Sequence, residues 1–255
     1  MQIEAAERER GYKFMLLIFS CCLFLLTGCG LETYYVLEPP TVASHVPTTD
    51  SVGEEKYFAF RTNDSYNNSL DDIKYKGTAV YYKIYTNLST MNSHISAISA
   101  LNTSSNYSKA AKKMIETYGY QQLGTDDGTV HPLIEASSGS GQNVIIRLTN
   151  YYEDLADDDA KYLNEPIITI ADADFSVPKR YDNKYSFDFG RTGNYDGTPS
   201  SDDTDVEYSS SFTTSDIWYV DMYAVAVGLD TTYSKLYSLV LHLGSISIDA
   251  GSENN

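Results

Sequence analysis

The chain has 255 residues and carries 18 Lys and Arg against 35 Asp and Glu, a net charge of −17 with neutral histidines. This acidic balance excludes a nucleic-acid-binding protein that works through a basic face, and the three cysteines exclude a disulfide-rich scaffold and a zinc site with paired cysteines. The 23 tyrosines and 9 phenylalanines argue against disorder, because disordered chains lack apolar surface of this kind.

The first thirty residues have the features of an export signal. A basic flank with Arg8, Arg10 and Lys13 precedes an apolar run from Phe14 to Leu26. A helix over that run is about 20 Å long, which is shorter than the roughly 30 Å hydrocarbon core of a bilayer. The run therefore fits the apolar part of a signal peptide better than it fits a membrane-spanning helix.

The apolar run ends in Leu26-Thr27-Gly28-Cys29, which resembles the lipobox of bacterial lipoproteins: a large apolar residue, two small residues and a cysteine. The resemblance implies that signal peptidase II cuts between Gly28 and Cys29 and that the Cys29 thiol carries a diacylglyceryl group. More than one acyl chain gives stable anchoring, whereas a single chain is marginal. The alternatives are an ordinary secretory signal and a short membrane anchor with an incidental cysteine.

The chain is predicted to contain a signal peptide, a tether and one domain. Residues 1–28 form the lipoprotein signal peptide and leave Cys29 as the only cysteine of the mature chain, which excludes a disulfide within it. Residues 29–55 are predicted to be a lipidated tether and first edge strand, because their prolines block regular strand pairing. Residues 56–250 are predicted to be the β domain, and residues 251–255 a disordered tail.

The first half of the domain alternates in a way that predicts strands. Residues 63–72 are rich in Asn, Asp and Ser and are predicted to be a loop. The stretch Gly77–Tyr85 is a strong strand, with Val80, Tyr82 and Ile84 on one face.

A helical period then interrupts the strands. Met91, Ile95 and Ile98 recur at helical spacing, and this predicts a helical insertion near residues 89–119. Ser89 and Thr90 are predicted to cap the first helix, and Gly119 is predicted to end the second.

Strands return in the second half of the domain. Residues 188–207 are rich in Gly, Asp, Ser and Thr and are predicted to be a long mobile loop. After it, Trp218, Val220, Met222 and Ala224 alternate with residues of the opposite face. Alternating strands separated by turns predict a mainly β protein, either a sandwich or a barrel.

Two stretches resemble a fibronectin type III domain. The segment "GTAVYYKIY" (residues 77–85) is similar to the central strand of that family, and "WYVDMYAVAVGLD" (218–230) followed by "YSLVLHLGSI" (237–246) resembles its final hairpin. In that family an aromatic residue stands six positions before a small one, and Trp218 and Ala224 occupy those places. The resemblance implies an immunoglobulin/fibronectin III-like β-sandwich with a short α-helical insertion.

The whole arrangement resembles uncharacterised lipoproteins of spirochaetes, on the basis of the lipobox, the stretch "TYYVLEPP" and the strand "YYKIY". This resemblance implies a lipid anchor in a bacterial membrane, with the domain in the periplasm or on the cell surface. It implies no molecular function.

Catalytic and metal-binding signatures are weak. The sequence contains no G-x-S-x-G, H-E-x-x-H or P-loop motif. Oxygen-rich loops can bind Ca²⁺, but the acidic clusters at residues 157–159 and 196–207 lack the spacing of a calcium loop, so solvated loops are predicted. No catalytic residue, metal site or cofactor is therefore predicted. The histidines are not spaced for metal binding, and the last of them is predicted to lie on the surface; they are His45, His94, His131 and His242.

Three functions remain open. The first is a non-enzymatic module that binds protein or carbohydrate partners, with the membrane contacted through the lipid and no nucleic acid bound. The second is an envelope hydrolase with paired carboxylates, which requires a cleft that brings two Asp or Glu together. The third is a structural component of the envelope, which requires an exposed apolar patch or a free sheet edge.

Overall fold

The computed structural model describes residues 36–42, 45–126, 128, 132–149, 151–152, 162–163, 165–181, 183–189, 197–209 and 217–250. These residues form a mainly β protein with several antiparallel sheets and a few short helices, and this confirms the predicted class at that level. The signal segment with Leu26, Thr27, Gly28 and Cys29 lies outside the described residues, as does the tail 251–255. Among the described residues, no helix is both long and apolar enough to span a membrane.

Most of the regular structure is strand, and two of the strands are much longer than the others. The described strands are, in chain order, β1 (Thr41–Val42), β2 (Phe58–Arg61), β3 (Lys74–Tyr85), β4 (Gln121–Gln122), β5 (Gly124–Thr125), β6 (Ile134–Glu135), β7 (Asn143–Arg147), β8 (Tyr151–Tyr152), β9 (Tyr162–Leu163), β10 (Ile167–Ile170), β11 (Ala173–Ser176), β12 (Pro178–Lys179), β13 (Val206–Glu207), β14 (Ile217–Leu229), β15 (Lys235–Tyr237) and β16 (Leu241–Asp249).

The larger sheet has seven strands and is built on the antiparallel pair β3 and β14. The strands β15 and β16 pair with β14, whereas β4, β6 and β13 pair with β3, and only β13 runs parallel to its partner. The second sheet has five strands in the order β1-β2-β7-β10-β11. Two short antiparallel ladders, β5 with β12 and β8 with β9, complete the described strands.

The helices are short and occupy two places in the chain. They are α1 (Asp64–Asn68), α2 (Leu88–Leu101) and α3 (Tyr107–Lys112), with a 3₁₀ turn at Gly53–Glu55 and a π-helical turn at Lys113–Thr117 that continues α3. Both α2 and α3 lie in the segment with helical periodicity. Gly119 follows the π-helical turn with a φ of +68°, a left-handed conformation that glycine adopts at little cost.

Two local predictions of this region are wrong. The cap of α2 is Asn87 rather than Ser89 or Thr90, because the Asn87 side chain accepts a hydrogen bond from the Thr90 backbone N–H at 3.0 Å. The predicted loop over 63–72 contains α1, in which Asp64 and Asn67 are fully buried. The Asn67 side chain is buried because its amide bonds the backbone N–H and C=O of Glu38.

The larger sheet buries both of its faces. The main core lies between the two sheets and contains Val220 and Met222 of β14 together with Ile146 of β7. The opposite face of β14 carries Tyr223 and Val225, which pack with buried residues of α2 and α3. The predicted alternation along β14 is therefore present, with an apolar layer on each side.

Much of the predicted mobile loop over 188–207 is fixed in the structure. Phe189 and the preceding Phe187, just before the loop, are fully buried, and Phe189 packs edge-on against Trp218 with ring centroids 6.1 Å apart. Further along, Asp205 is fully buried and β13 pairs with β3. The prediction of a mobile loop is wrong for these parts because aromatic burial and an ion pair fix them, and residues 190–196 lie outside the described residues.

Candidate functional site

An open cleft of about 540 Å³ lies where β6 of the larger sheet faces the β10–β11 hairpin of the smaller one. This volume is within the roughly 300–1,000 Å³ of typical small-ligand sites. Two parts of the chain line the cleft, residues 133–142 and residues 170–175. Because residues 143–169 separate them in sequence, only the fold brings them together.

The inner part of the cleft is apolar. Leu133 and Ile134 are 2 % exposed and belong to the main core, and Ile170 packs against that core. Phe175 lines the cleft from β11 and remains 42 % exposed, which is unusual for a large aromatic side chain. The cleft therefore presents an apolar floor with one accessible aromatic ring.

The mouth of the cleft is polar and acidic. Glu135 of β6 and Asp174 of β11 are exposed residues on opposite walls, and Ser137 and Gln142 add a hydroxyl and an amide. None of the described residues that line the cleft carries a positive charge. An apolar floor with a few polar groups is the usual composition of a ligand site, and the carboxylates favour a ligand that donates hydrogen bonds or carries positive charge.

The wall formed by β11 is fixed by a tight turn and an aspartate. Ala171 and Asp172 both have positive φ values, 51° and 63°, as a two-residue hairpin loop requires. At the other end of β11, Asp126 Oδ1 accepts hydrogen bonds from Ser176 Oγ at 2.6 Å and from the Val177 N–H at 3.1 Å. The strand that carries Asp174 and Phe175 is thus fixed at both ends.

The wall formed by β6 depends on a glycine in β3. Gly77 has a φ of +134°, and a Cβ atom at this position would clash with the carbonyl oxygen of Ile134. This close approach lets the residue pair Gly77 and Glu135 align in the β3–β6 ladder. Gly77 therefore sets the position of one side of the cleft.

Replacement of Gly77 by alanine is expected to destabilise the fold and displace β6. An L-residue held at this φ costs about 1–3 kcal/mol from backbone strain alone, to which the clash with Ile134 adds. Urea unfolding followed by circular dichroism measures the loss of unfolding free energy. Gly139→Ala, in the turn after β6, is the matched control and should change it by less than about 0.5 kcal/mol. Equal stability of the two variants would contradict the role of Gly77.

A second polar cluster lies under the helices and is centred on Asp221 of β14, which is fully buried. Its Oδ1 lies 2.7 Å from His242 Nε2 and accepts a 2.6 Å hydrogen bond from Ser245 Oγ. Its Oδ2 accepts a 2.6 Å bond from the Tyr120 hydroxyl. Two partners from β16 and one that directly precedes β4 therefore satisfy one buried carboxyl group.

This cluster continues as a chain of hydrogen bonds towards α2. The Tyr85 hydroxyl donates to the Tyr120 hydroxyl at 3.0 Å and lies 3.0 Å from His94 Nδ1. Because each hydroxyl has one hydrogen, Tyr85 accepts from His94, which places a proton on Nδ1. Burial raises the pKa of Tyr85, and burial with the charge of Asp221 raises that of Tyr120. Both phenols therefore remain donors at neutral pH.

The groups around Asp221 do not form a catalytic triad. In a triad the serine donates to the histidine, and the histidine donates to the carboxylate. Here Ser245 donates to the same carboxyl oxygen that His242 contacts. The predicted surface position of His242 is half right, because its side chain is 37 % exposed but its ring is held by the buried Asp221.

His94 is expected to make stability depend on pH. Burial lowers the pKa of His94 below its usual value near 6.5, so the unfolded chain binds the proton more readily than the folded one does. The free energy of unfolding should therefore fall as the pH drops below about 6.5. Urea unfolding between pH 5 and pH 8 tests this. His94→Gln should show a shallower slope below pH 6.5 and an equal slope above pH 7, and identical slopes throughout would contradict the assignment.

A third polar cluster holds the 197–207 segment. Arg180 is 1 % exposed and forms two bonds with Asp205, from Nε to Oδ2 at 2.8 Å and from Nη2 to Oδ1 at 2.6 Å. Asp203 and the Gly197 carbonyl accept further bonds from the guanidinium. The Tyr82 hydroxyl donates to Asp205 as well, at 2.6 Å. Burial by itself lowers the pKa of Arg180, but the bonds to Asp205 raise it on balance, so the guanidinium stays charged.

The structure assigns structural roles to several residues that the sequence analysis weighed for metal binding. Asp203 and Asp205 bind Arg180, and Glu207 lies 3.3 Å from Lys83 Nζ. His45 Nε2 lies 2.8 Å from the Glu55 carbonyl oxygen. Within the described ranges, no group of three or more His, Cys, Asp or Glu is placed to hold a metal ion. His131 and residues 157–159 and 196 lie outside those ranges.

Comparisons with protein-family models, with curated proteins and with solved structures find no match for this chain.

Proposed function

We propose that this chain is a lipid-anchored protein of a bacterial cell envelope, held in the membrane by Cys29, whose β domain binds a protein or carbohydrate partner without catalysis. The lipobox at Leu26–Cys29 and the preceding apolar run support the anchor. The domain then stands in the periplasm or on the cell surface. The observation that carries the binding role is the cleft between β6 and β11, with its apolar floor and acidic mouth.

The finer description of the domain as an immunoglobulin/fibronectin III-like sandwich is part of this proposal. Two observations support it: the long strands β3 and β14 pair antiparallel at the centre of one sheet, and residues of both sheets share the main core. The helices α2 and α3 lie on the outer face of the larger sheet, as an insertion in such a sandwich would.

The binding role is tested by blocking the cleft in the full-length lipoprotein, reconstituted in nanodiscs. The probes are an array of glycans and a set of peptides from digested envelope proteins. A ligand of the cleft should lose at least about tenfold in affinity when Ala173, an exposed cleft residue, is replaced by tryptophan. The control Ala100→Trp, on an exposed position of α2, should leave binding unchanged. Binding that is indifferent to Ala173→Trp would contradict the proposal.

A hydrolase is the second candidate, because Glu135 and Asp174 stand on opposite walls of one cleft. Paired carboxylates in such an arrangement can act as general acid and base. The same ligands distinguish the two functions when the reaction products are followed by mass spectrometry. If the protein cleaves the ligand and Glu135→Gln abolishes the cleavage, the hydrolase is the correct function. If the ligand is intact after long incubation, the result supports the binding module.

A further inference from the structure

We infer that the partner segment in the cleft is an extended peptide that lies along β11 and places a lysine or arginine between Glu135 and Asp174. This inference rests on the proposed function and names the class of its ligand. It follows from three features of the described residues, which are the sheet edges, the floor and the charge.

The cleft lies between two strands that each have a free side in the described structure. In that part of the chain β11 ends the five-stranded sheet and pairs only with β10, whereas β6 pairs only with β3. An edge strand offers a row of backbone N–H and C=O groups to an added strand. Ala173, Asp174 and Phe175 of β11 are all exposed, so an extended backbone can reach this edge.

The floor of the cleft provides the apolar part of the recognition. Side chains of a strand alternate in direction, so every second residue of an added peptide would face the cleft. Leu133 and Ile134 lie at its base, and the Phe175 ring stays accessible at its side. A peptide with apolar residues at alternate positions can bury them here, and a purely polar chain cannot.

The charge at the mouth of the cleft determines which polar side chain the peptide carries. Glu135 and Asp174 stand on the β6 and β11 walls of the cleft, and no basic residue is among the described residues that line it. A carboxylate pair of this kind attracts a lysine or arginine side chain and repels an acidic one. A sugar would use the same carboxylates as hydrogen-bond acceptors. A peptide is favoured because the sheet edge supplies backbone pairing that a sugar does not use.

The experiment measures binding of short synthetic peptides to the full-length lipoprotein in nanodiscs. The probes are a peptide that alternates valine with lysine, the same peptide with glutamate for lysine, and a peptidoglycan-derived oligosaccharide. The lysine peptide should bind at least about tenfold more tightly than the glutamate peptide, and its affinity should fall with added salt.

Variants then locate the binding. Glu135→Gln with Asp174→Asn should weaken the lysine peptide by roughly two- to fivefold per carboxylate, whereas Asp50→Asn with Glu54→Gln, on exposed carboxylates outside the cleft, should not. Equal affinity for the lysine and glutamate peptides would overturn the inference. A second outcome would also overturn the inference: the oligosaccharide binds, Ala173→Trp abolishes that binding, and no peptide binds. The proposed function would still hold in that case. If Ala173→Trp weakens the binding of neither the peptide nor the oligosaccharide, both the inference and the proposed function are contradicted.

Discussion

Replacement of Arg180 by leucine is expected to lower the free energy of unfolding by about 3–5 kcal/mol, which is a large part of the stability of an ordinary domain. The change leaves Asp205 fully buried without its cation, and among the described residues only the Tyr82 hydroxyl then remains as a side-chain donor to it. Urea unfolding at pH 7, followed by near-ultraviolet circular dichroism, measures the loss.

A double-mutant cycle separates the ion pair from the packing of its atoms. Arg180→Leu combined with Asp205→Leu removes both charges, and such replacements of a whole buried pair are often neutral or stabilising. The double variant should therefore be more stable than Arg180→Leu alone. If the loss of unfolding free energy in the double variant equals the sum of the losses in Arg180→Leu and Asp205→Leu, the pair contributes through packing. The account of the 197–207 segment is then wrong.

Replacement of Asp221 by leucine is expected to cost about 3 kcal/mol or more. It leaves the Tyr120 and Ser245 hydroxyls without their acceptor, and each unsatisfied buried polar group costs about 1–3 kcal/mol. Addition of Tyr120→Phe should recover part of this loss, because that change removes one of the stranded donors.

A control for Asp221 lies in the hairpin turn beside the cleft. Asp172→Asn also removes an aspartate, but from an exposed position with a φ of 63°, which asparagine adopts readily. It should shift the unfolding free energy by less than about 0.5 kcal/mol. A cost of Asp221→Leu as small as that of this control would contradict the role of the buried network.

The regular parts of the fold follow from local patterns. Strand β14 alternates Val220 and Met222 with Tyr223 and Val225, and each set lies on its own face of the sheet. The period of Met91 and Ile98 likewise matches the buried side of α2. These elements could be predicted because each one buries residues at its own repeat, whatever its partners are.

The polar clusters could not be predicted, because their partners are distant in sequence. Asp221 gave one signal, a lone acid within the apolar stretch "WYVDMYAVAV", but nothing local identifies Tyr120 as its donor. Arg180 likewise turns an apparently loose acidic segment into a fixed one through Asp205. Composition predicts a loop in such a case, and tertiary pairing overrides it.

The cleft could not be predicted for the same reason. Glu135 and Asp174 stand in unremarkable stretches of sequence, and they line one cleft only because β3 pairs with β6 while β10 pairs with β11. The backbone of Gly77 shows its role in that geometry through a φ of +134°, as the positive φ values of Ala171 and Asp172 do for the β11 wall. The location of the proposed binding site is thus a property of sheet edges rather than of a motif.

The account depends most on the anchor, because the proposed envelope setting follows from it. Intact-mass spectrometry of the native protein, extracted from membranes of the cells that make it, tests this directly. The account predicts a chain that begins at Cys29 and carries a diacylglyceryl group on the thiol. A chain that retains residues 1–28 with an unmodified Cys29 would contradict it.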